Sequence, residues 1–270
     1  MKNFSTIFIS DTHLGSRGAS ADELLEFLKE IEHTDFDRLV LNGDIIDGWR
    51  LSSKWYFPQE HLNVIRKILS LAKSGKEIIY VAGNHDEFLR KFHAFDLSMG
   101  NVKIVNKYEH TSINGDKYLV VHGDGFDQVM KYHKWVAKIG DIGYNLLLEL
   151  NSTVNRIRKW LRKPYWSLSK AIKGKVKEAA NYIFAFEETA VKAAHGRYKG
   201  VICGHIHEPA LRFYDVKLGE EVVWYMNSGD WVESCSWLAE TKDGHFETWL
   251  WNDANPLNIN STENPSFRGE

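Results

Sequence analysis

Cysteine and proline are scarce in this chain, two and five among 270 residues. Two thiols cannot build the disulfide framework of a small secreted domain. Cys203 and Cys235 both sit in apolar or strand-like surroundings, which predicts buried, reduced side chains. Uninterrupted apolar stretches stay well short of the ~20 residues a membrane span needs. Nothing resembling a charged-then-apolar leader precedes the first strand-like run, Thr6–Ile9, so a cytoplasmic location is expected. Acid is missing from one place in particular: Asn151 to Lys177 holds nine basic residues and no Asp or Glu. With a formal net charge of −2, setting those nine charges aside leaves the rest of the chain at −11. A basic segment on an acidic body predicts an anionic partner for that segment. The length supports a large core, as one big domain or one domain carrying an insertion.

The first ninety or so residues alternate in hydrophobic period. Thr6–Ser10, Arg38–Leu41 and Glu77–Val81 read as strands, and Ala21–Ile31 and Glu60–Lys73 as helices. That order predicts a mainly parallel, helix-covered sheet. Each strand runs into a polar motif at its C-terminal end, the edge where open α/β sheets place ligands. Val102–Ile113 and Lys117–Val121 are β-rich around Asn114-Gly115, a hairpin signal, and Gly200–Leu250 is β-rich again. This half is expected to form a second sheet packed on the first. Between the two lies a stretch of helical spacing, a helical insertion or lid at about 126–198, divided by Pro164. Residues 256–270 have the composition of a flexible tail.

Five short motifs carry the chemistry: Asp11-Thr12-His13, Gly43-Asp44-Ile45-Ile46-Asp47, Gly83-Asn84-His85-Asp86, His122-Gly123-Asp124 and Gly204-His205-Ile206-His207. Hydrolytic divalent ions are held by carboxylate, imidazole and amide groups, and two neighbouring ions need a shared ligand. Alternation along an extended segment would point Asp11 and His13 the same way, and His205 and His207 likewise. Asp44 offers two oxygens and suits the bridging position. Asn84 supplies an amide oxygen where a further negative charge is unwanted. Any one motif alone is weak; a lone Asp is more often a cap, and a lone His a satisfied surface residue.

In order and spacing the set resembles the calcineurin-like metallophosphoesterase superfamily, over nearly the whole chain to about Trp251. The resemblance implies an α/β fold, a two-sheet β-sandwich flanked by helices, in a domain spanning 1–255 with the helical insertion within it. It implies one ion on Asp11, His13, Asp44 and His207 and another on Asp44, Asn84, His122 and His205. Within the superfamily the chain is most similar to the UDP-2,3-diacylglucosamine pyrophosphatase group of lipid A biosynthesis. His122-Gly123-Asp124, the insertion after it, and Asn227-Ser228-Gly229-Asp230-Trp231 carry that likeness. One position departs: those enzymes carry arginine where this chain has His85.

The expected function is therefore metal-dependent phosphoester hydrolysis by water attack at phosphorus, with the pyrophosphate of a nucleotide-linked lipid such as UDP-2,3-diacylglucosamine as the expected substrate. Two divalent ions are expected, Mn2+ foremost, with iron or zinc as alternatives. His85 is the candidate to protonate the leaving oxygen, with Asp86 orienting its ring. Arg17 and Arg50 are candidate phosphate contacts, with exposed loop arginines as the plain alternative. Trp160 and Trp166, among the basic residues of the insertion, suit an amphiphilic substrate or an anionic membrane surface, and so a peripheral place on the inner membrane. They also suit base stacking, which keeps a phosphodiesterase of cyclic nucleotides or nucleic acid as the alternative. A merely solvated helical face is the third reading of the insertion.

Overall fold

The structure is a computed structural model that describes residues 3–95, 98–99, 101–130, 168–216, 221–251, 253 and 255–257. Trp160, Trp166, Pro164 and the tail beyond 257 lie outside the described residues. The chain forms two units, 1–125 with 190–270, and 126–189.

The first unit holds two sheets. The larger is built on four parallel strands, β1 (Phe4–Ile9), β2 (Arg38–Asn42), β3 (Glu77–Val81) and β5 (Val102–Val105). Short β4 (Ser98–Met99) closes one side antiparallel, and β11 (Ser236–Thr241) with β12 (Phe246–Leu250) closes the other. The strand order is β12-β11-β1-β2-β3-β5-β4. The second sheet runs β6-β7-β8-β10-β9, from β6 (Tyr108–Thr111), β7 (Lys117–Val120), β8 (Gly200–Cys203), β9 (Ala210–Asp215) and β10 (Val222–Asn227). Its central three strands are parallel.

Two apolar layers hold this arrangement. Between the sheets, Phe8, Val40, Ile79, Val81 and Leu238 of the first meet Tyr118, Val120, Ile202 and Met226 of the second. The outer face of the first sheet packs on helices α1 (Ala21–Glu32) and α3 (Gln59–Lys73). Helix α1 buries Ala21, Leu24, Phe27, Leu28 and Ile31, which fall three or four residues apart and so share one stripe. Strands β1, β2 and β3 are buried along almost their whole length, as expected of parallel strands covered on both faces.

The expected division of strands between sheets needs correction at two places. Val102–Val105 pairs parallel with β3 in the first sheet, and the chain crosses to the second only at Tyr108. Likewise β11 and β12 return to the first sheet beside β1. Short apolar strands look alike in sequence whichever sheet receives them, so periodicity could not separate them.

In the second unit, α4 (Asp124–Met130) leads in and α5 (Leu168–Ala194) leads out. Tyr182 donates to Asp127 Oδ1 at 2.7 Å, and the Phe126 and Phe186 rings meet edge-on with centroids 5.6 Å apart. Among the described residues no helix is long and apolar enough to cross a membrane. Cys203 is buried and Cys235 half-buried, and no disulfide joins them.

Candidate metal centre

Every motif sits just past the C-terminal end of a parallel strand of the first unit. Asp11 follows β1, Asp44 follows β2, Asn84 follows β3, His122 follows β7 and His205 follows β8. The loops are laced together by backbone hydrogen bonds: Asp11 N–H donates to Gly43, His13 to Asp44, and Gly204 to His122. The two sheets thus deliver their loop ends to one place.

The backbone there is left-handed. Asp11, His13, Asp44, His205 and His207 have φ of 51°, 47°, 54°, 72° and 57°. The extended alternation expected for Asp11/His13 and His205/His207 is therefore wrong; Asp11 and His13 still meet in one cluster, whereas His205 and His207 join different ones. Such conformations cost of order 1–3 kcal/mol each and persist only where the surroundings over-determine them. Asp and His are among the few side chains that tolerate the region. Glycines make the close approach possible: a Cβ on Gly83 would lie 2.2 Å from Asp44 Oδ1, and one on Gly43 would lie 2.4 Å from His122 Nδ1.

Among the described residues, three overlapping clusters have ligand-competent atoms within 4.8 Å of one another: Asp11, His13 and His207; His13, Asp44 and His85; Asp44, His122 and His205. In the first, His207 Nε2 lies 3.2 Å from Asp11 Oδ1 and 3.3 Å from His13 Nε2. In the third, His122 Nε2 lies 3.1 Å from Asp44 Oδ2. Asp44 belongs to two clusters, as a bridging carboxylate would.

The hydrogen-bond accounting fits bound cations. Asn84 Oδ1 is buried with no hydrogen-bond partner among the described residues, and Asp11 Oδ1 and His122 Nε2 are buried with only poorly aligned ion-pair neighbours, His207 Nε2 at 3.2 Å and Asp44 Oδ2 at 3.1 Å. Buried polar atoms are rarely left so unless an ion or water completes them. Meanwhile the opposite side of each group is fixed. Asp11 Oδ2 accepts from His205 N–H at 2.9 Å, Asp44 Oδ1 accepts from His85 N–H at 2.8 Å, and His122 Nδ1 lies 2.9 Å from the Asn42 carbonyl. His207 Nδ1 lies 3.3 Å from Asp230 Oδ2. A metal-binding histidine typically needs such a partner on its other nitrogen, so that a lone pair faces the ion.

Burial opposes charge at every one of these groups. It pushes Asp11 and Asp44 upward, yet the imidazoles of His207 and His122 hold both carboxyls below their usual range. It pushes His122 and His207 downward, yet Asp44 and Asp11 raise the first to about 10, and Asp11 and Asp230 raise the second to about 11. His13, by contrast, is lowered by its burial. A carboxylate-rich cavity that draws protons onto its imidazoles is one where divalent ions would displace those protons.

His85, half-buried, belongs to the second cluster and has a carboxylate partner of its own. Its Nδ1 lies 3.0 Å from Asp47 Oδ1 and its Nε2 lies 4.0 Å from Asp44 Oδ2. Burial lowers its pKa, but the Asp47 hydrogen bond and the Asp44 charge together raise it. The Trp49 ring covers it at a centroid distance of 4.2 Å. The expectation that Asp86 orients His85 is overturned. Asp86 is fully buried and accepts from Ile45 N–H, Tyr80 Oη–H and Gly83 N–H at 2.9, 2.7 and 2.6 Å. It ties the loops after β2 and β3 together, and its oxygens are turned from the histidine next to it.

Asp47 and Asp230 were missed as partners of site histidines. Signals existed for both: Asp47 closes the Gly43–Asp47 motif, and Asp230 follows β10 as the other motifs follow their strands. Arg17 and Arg50 are on the surface; the Arg17 guanidinium lies over the Tyr56 ring at 5.6 Å, and Arg50 N–H donates to Asp47 Oδ1.

Comparison with known proteins agrees with this geometry. The family model described as Calcineurin-like phosphoesterase matches residues 4–209. A UDP-2,3-diacylglucosamine hydrolase of Nitrosococcus oceani is 28% identical over 252 residues, covering 90% of this chain and 94% of that protein. Its counterpart from Stenotrophomonas maltophilia is 25% identical and 94% covered. The DNA polymerase II small subunit of Methanothermobacter thermautotrophicus is 26% identical over 161 residues, and the chain spans only 32% of its length. A dimetal phosphatase structure from Danio rerio superposes with a TM-score of 0.42 at 12% identity, over 93% of this chain and 100% of that one. The family implies divalent metals, and the Asp and His clusters can hold them. The chain belongs to the calcineurin-like phosphoesterase family.

Proposed function

We propose that this protein is a two-metal hydrolase that cleaves the pyrophosphate of a nucleotide-linked lipid, such as UDP-2,3-diacylglucosamine, by water attack at phosphorus. The observation that carries the reading is the overlap of three carboxylate–imidazole clusters through His13 and Asp44, one of whose imidazoles, His85, is held by a carboxylate of its own, Asp47. One ion would be held by Asp11, His13, Asp44 and His207, the other by Asp44, Asn84, His122 and His205. The mixed nitrogen and oxygen set suits manganese, iron or zinc better than calcium, and manganese is the ion proposed. When bound, such ions polarise phosphoryl oxygens and activate water.

The chain's own residues do the rest. Asp44, which belongs to two clusters, would be shared by the ions, its negative charge offsetting their mutual repulsion. Asp47 holds the proton on His85 Nδ1, so that Nε2 faces the centre as an acid for the leaving oxygen. Asp230 plays the matching part for His207, holding Nδ1 so that Nε2 is directed at Asp11.

The substrate class rests on two supports. Relatives matched over most of their length are named UDP-2,3-diacylglucosamine hydrolase. Beside the centre, the segment 48–59 carries exposed Trp49, Trp55 and Tyr56 with Arg50 and Lys54 and no acid. Aromatic and cationic side chains together suit an amphiphilic phosphate; independently, the sequence 151–177, with nine basic residues and no acid, suits peripheral contact with an anionic membrane. The same aromatics suit stacked bases, so a phosphodiesterase acting on cyclic nucleotides or nucleic acid is the second reading. A panel on manganese-loaded protein decides: UDP-2,3-diacylglucosamine, cyclic nucleotides, single-stranded DNA and an aryl phosphodiester. Turnover of the lipid pyrophosphate well above the rest is expected; preference for DNA or cyclic nucleotides would overturn the substrate assignment.

A further inference from the structure

Helix α3 presents His61, Val64, Ile68 and Leu71 to the core, a spacing that calls for an apolar residue at each position. His61 is the exception, and it is only 4% exposed. Its Nδ1 accepts a hydrogen bond from Gly15 N–H at 2.8 Å. Gly15 is itself buried and closes the turn that begins at Asp11. In that turn the N–H groups of Asp11, His13, Leu14 and Ser16 all donate to backbone carbonyls. The Gly15 N–H instead depends on a side chain from a distant helix.

The turn needs such an anchor. His13 at φ 47° and Gly15 at φ 107° put two left-handed residues within three positions. Strained backbone of this kind holds only when its surroundings over-determine it. Leu51 closes over Gly15, so near that a Cβ there would lie 3.0 Å from Leu51 Cγ, and solvent has little room to replace the acceptor. Tyr56 and Phe57 meet the His61 ring edge-on at 5.8 and 5.6 Å and fix its plane. Burial lowers the His61 pKa, with Glu60 of its own helix and Asp22 of α1 opposing, which favours the neutral ring that accepting at Nδ1 requires.

We propose that His61 is a positioning residue for the metal centre: its Nδ1 holds Gly15 N–H and so fixes the turn that aims the His13 imidazole at Asp11 and His207. The inference rests on the two-ion reading above, in which those three residues are ligands.

The test compares the full-length parent with His61→Leu and His61→Asn, each stripped of metal and titrated with Mn2+ by calorimetry. Amide exchange at Gly15 is followed in parallel. Asparagine places an acceptor oxygen near the position of Nδ1; leucine keeps bulk and removes the acceptor. The parent should bind two ions. His61→Leu should weaken one of the two by about 5- to 150-fold, the effect of one buried unsatisfied N–H, leave the other unchanged, and expose Gly15 to exchange. His61→Asn should restore both. His61→Gln, whose oxygen lies a bond further out, should behave as the leucine variant and replaces it if leucine prevents folding. Two ions at parental affinity in a folded His61→Leu would overturn this proposal alone, as would failure of asparagine to rescue. A parent that takes up no manganese would overturn the two-ion reading and this proposal together.

Discussion

Replacing Asp47 by asparagine should separate leaving-group chemistry from metal binding. Asp47 has two contacts through one oxygen: Oδ1 accepts from Arg50 N–H at 2.9 Å, capping the short helix α2 (Gly48–Ser53), and lies 3.0 Å from His85 Nδ1. Asparagine keeps an oxygen for the cap and nearly the same volume. What it removes is the negative charge that holds the His85 proton in place. A hydrogen bond to a charged group contributes about 1.5–3 kcal/mol. If that contribution is felt fully in the transition state, kcat falls about 10- to 150-fold. Removing the imidazole itself, as in His85→Gln, should cost about 10²–10⁴-fold, the usual range for one general acid.

The assay is kcat for two phosphodiesters that differ in their leaving group, an alkoxide and a nitrophenolate, with bound metal measured on the same samples. Asp47→Asn should slow the alkoxide substrate and leave the nitrophenolate substrate near the parental rate, because a good leaving group needs little protonation. The double variant Asp47→Asn/His85→Gln should be no slower than His85→Gln alone, since Asp47 acts through the histidine. Equal losses on both substrates would refute the reasoning. So would loss of an ion, which would mean that Asp47 Oδ2, 3.9 Å from His13 Nδ1, serves the metal centre.

Asp44→Ala should abolish hydrolysis and leave at most one tightly bound ion, read by metal analysis, because its carboxylate joins two clusters. Gly83→Ala should do nearly the same without removing a ligand: the new methyl would lie 2.2 Å from Asp44 Oδ1 and 2.6 Å from Asp44 N, so the bridging loop must move. Acid should destabilise the metal-free protein partly through His61. Its pKa is lowered from 6.5 in the fold, so the unfolded chain takes up that proton first, and stability falls as pH drops through 6.5 and levels off below the native value. His61→Asn should flatten that part of the slope in denaturant titrations between neutral and mildly acid pH.

Strands β1, β2 and β3 and the residues gathered at their ends were legible because each is buried along almost its whole length and stops at a polar motif. Hydrophobic period and strand order suffice for that much. They do not say which sheet receives a short strand, and β5, β11 and β12 went astray for that reason. Around the centre the difficulty is different. Asp11 and His13 do converge, but through two left-handed residues where an extended chain was expected. The nearest carboxylate in sequence to His85 is Asp86, yet Asp86 spends its oxygens on Ile45, Tyr80 and Gly83. The partner is Asp47, from the neighbouring strand's loop. His61, forty-six positions from Gly15, reaches the turn only because α3 packs beside it. In a site built from the ends of several strands, adjacency along the chain places residues on the same loop, while the turn of that loop decides which way each one faces. Ligand types can be read from motifs for this reason, since they need only arrive at the edge. Supporting partners cannot, because each is selected by the direction of a single lone pair or N–H, and those directions are set by φ values and helix packing that no local pattern records.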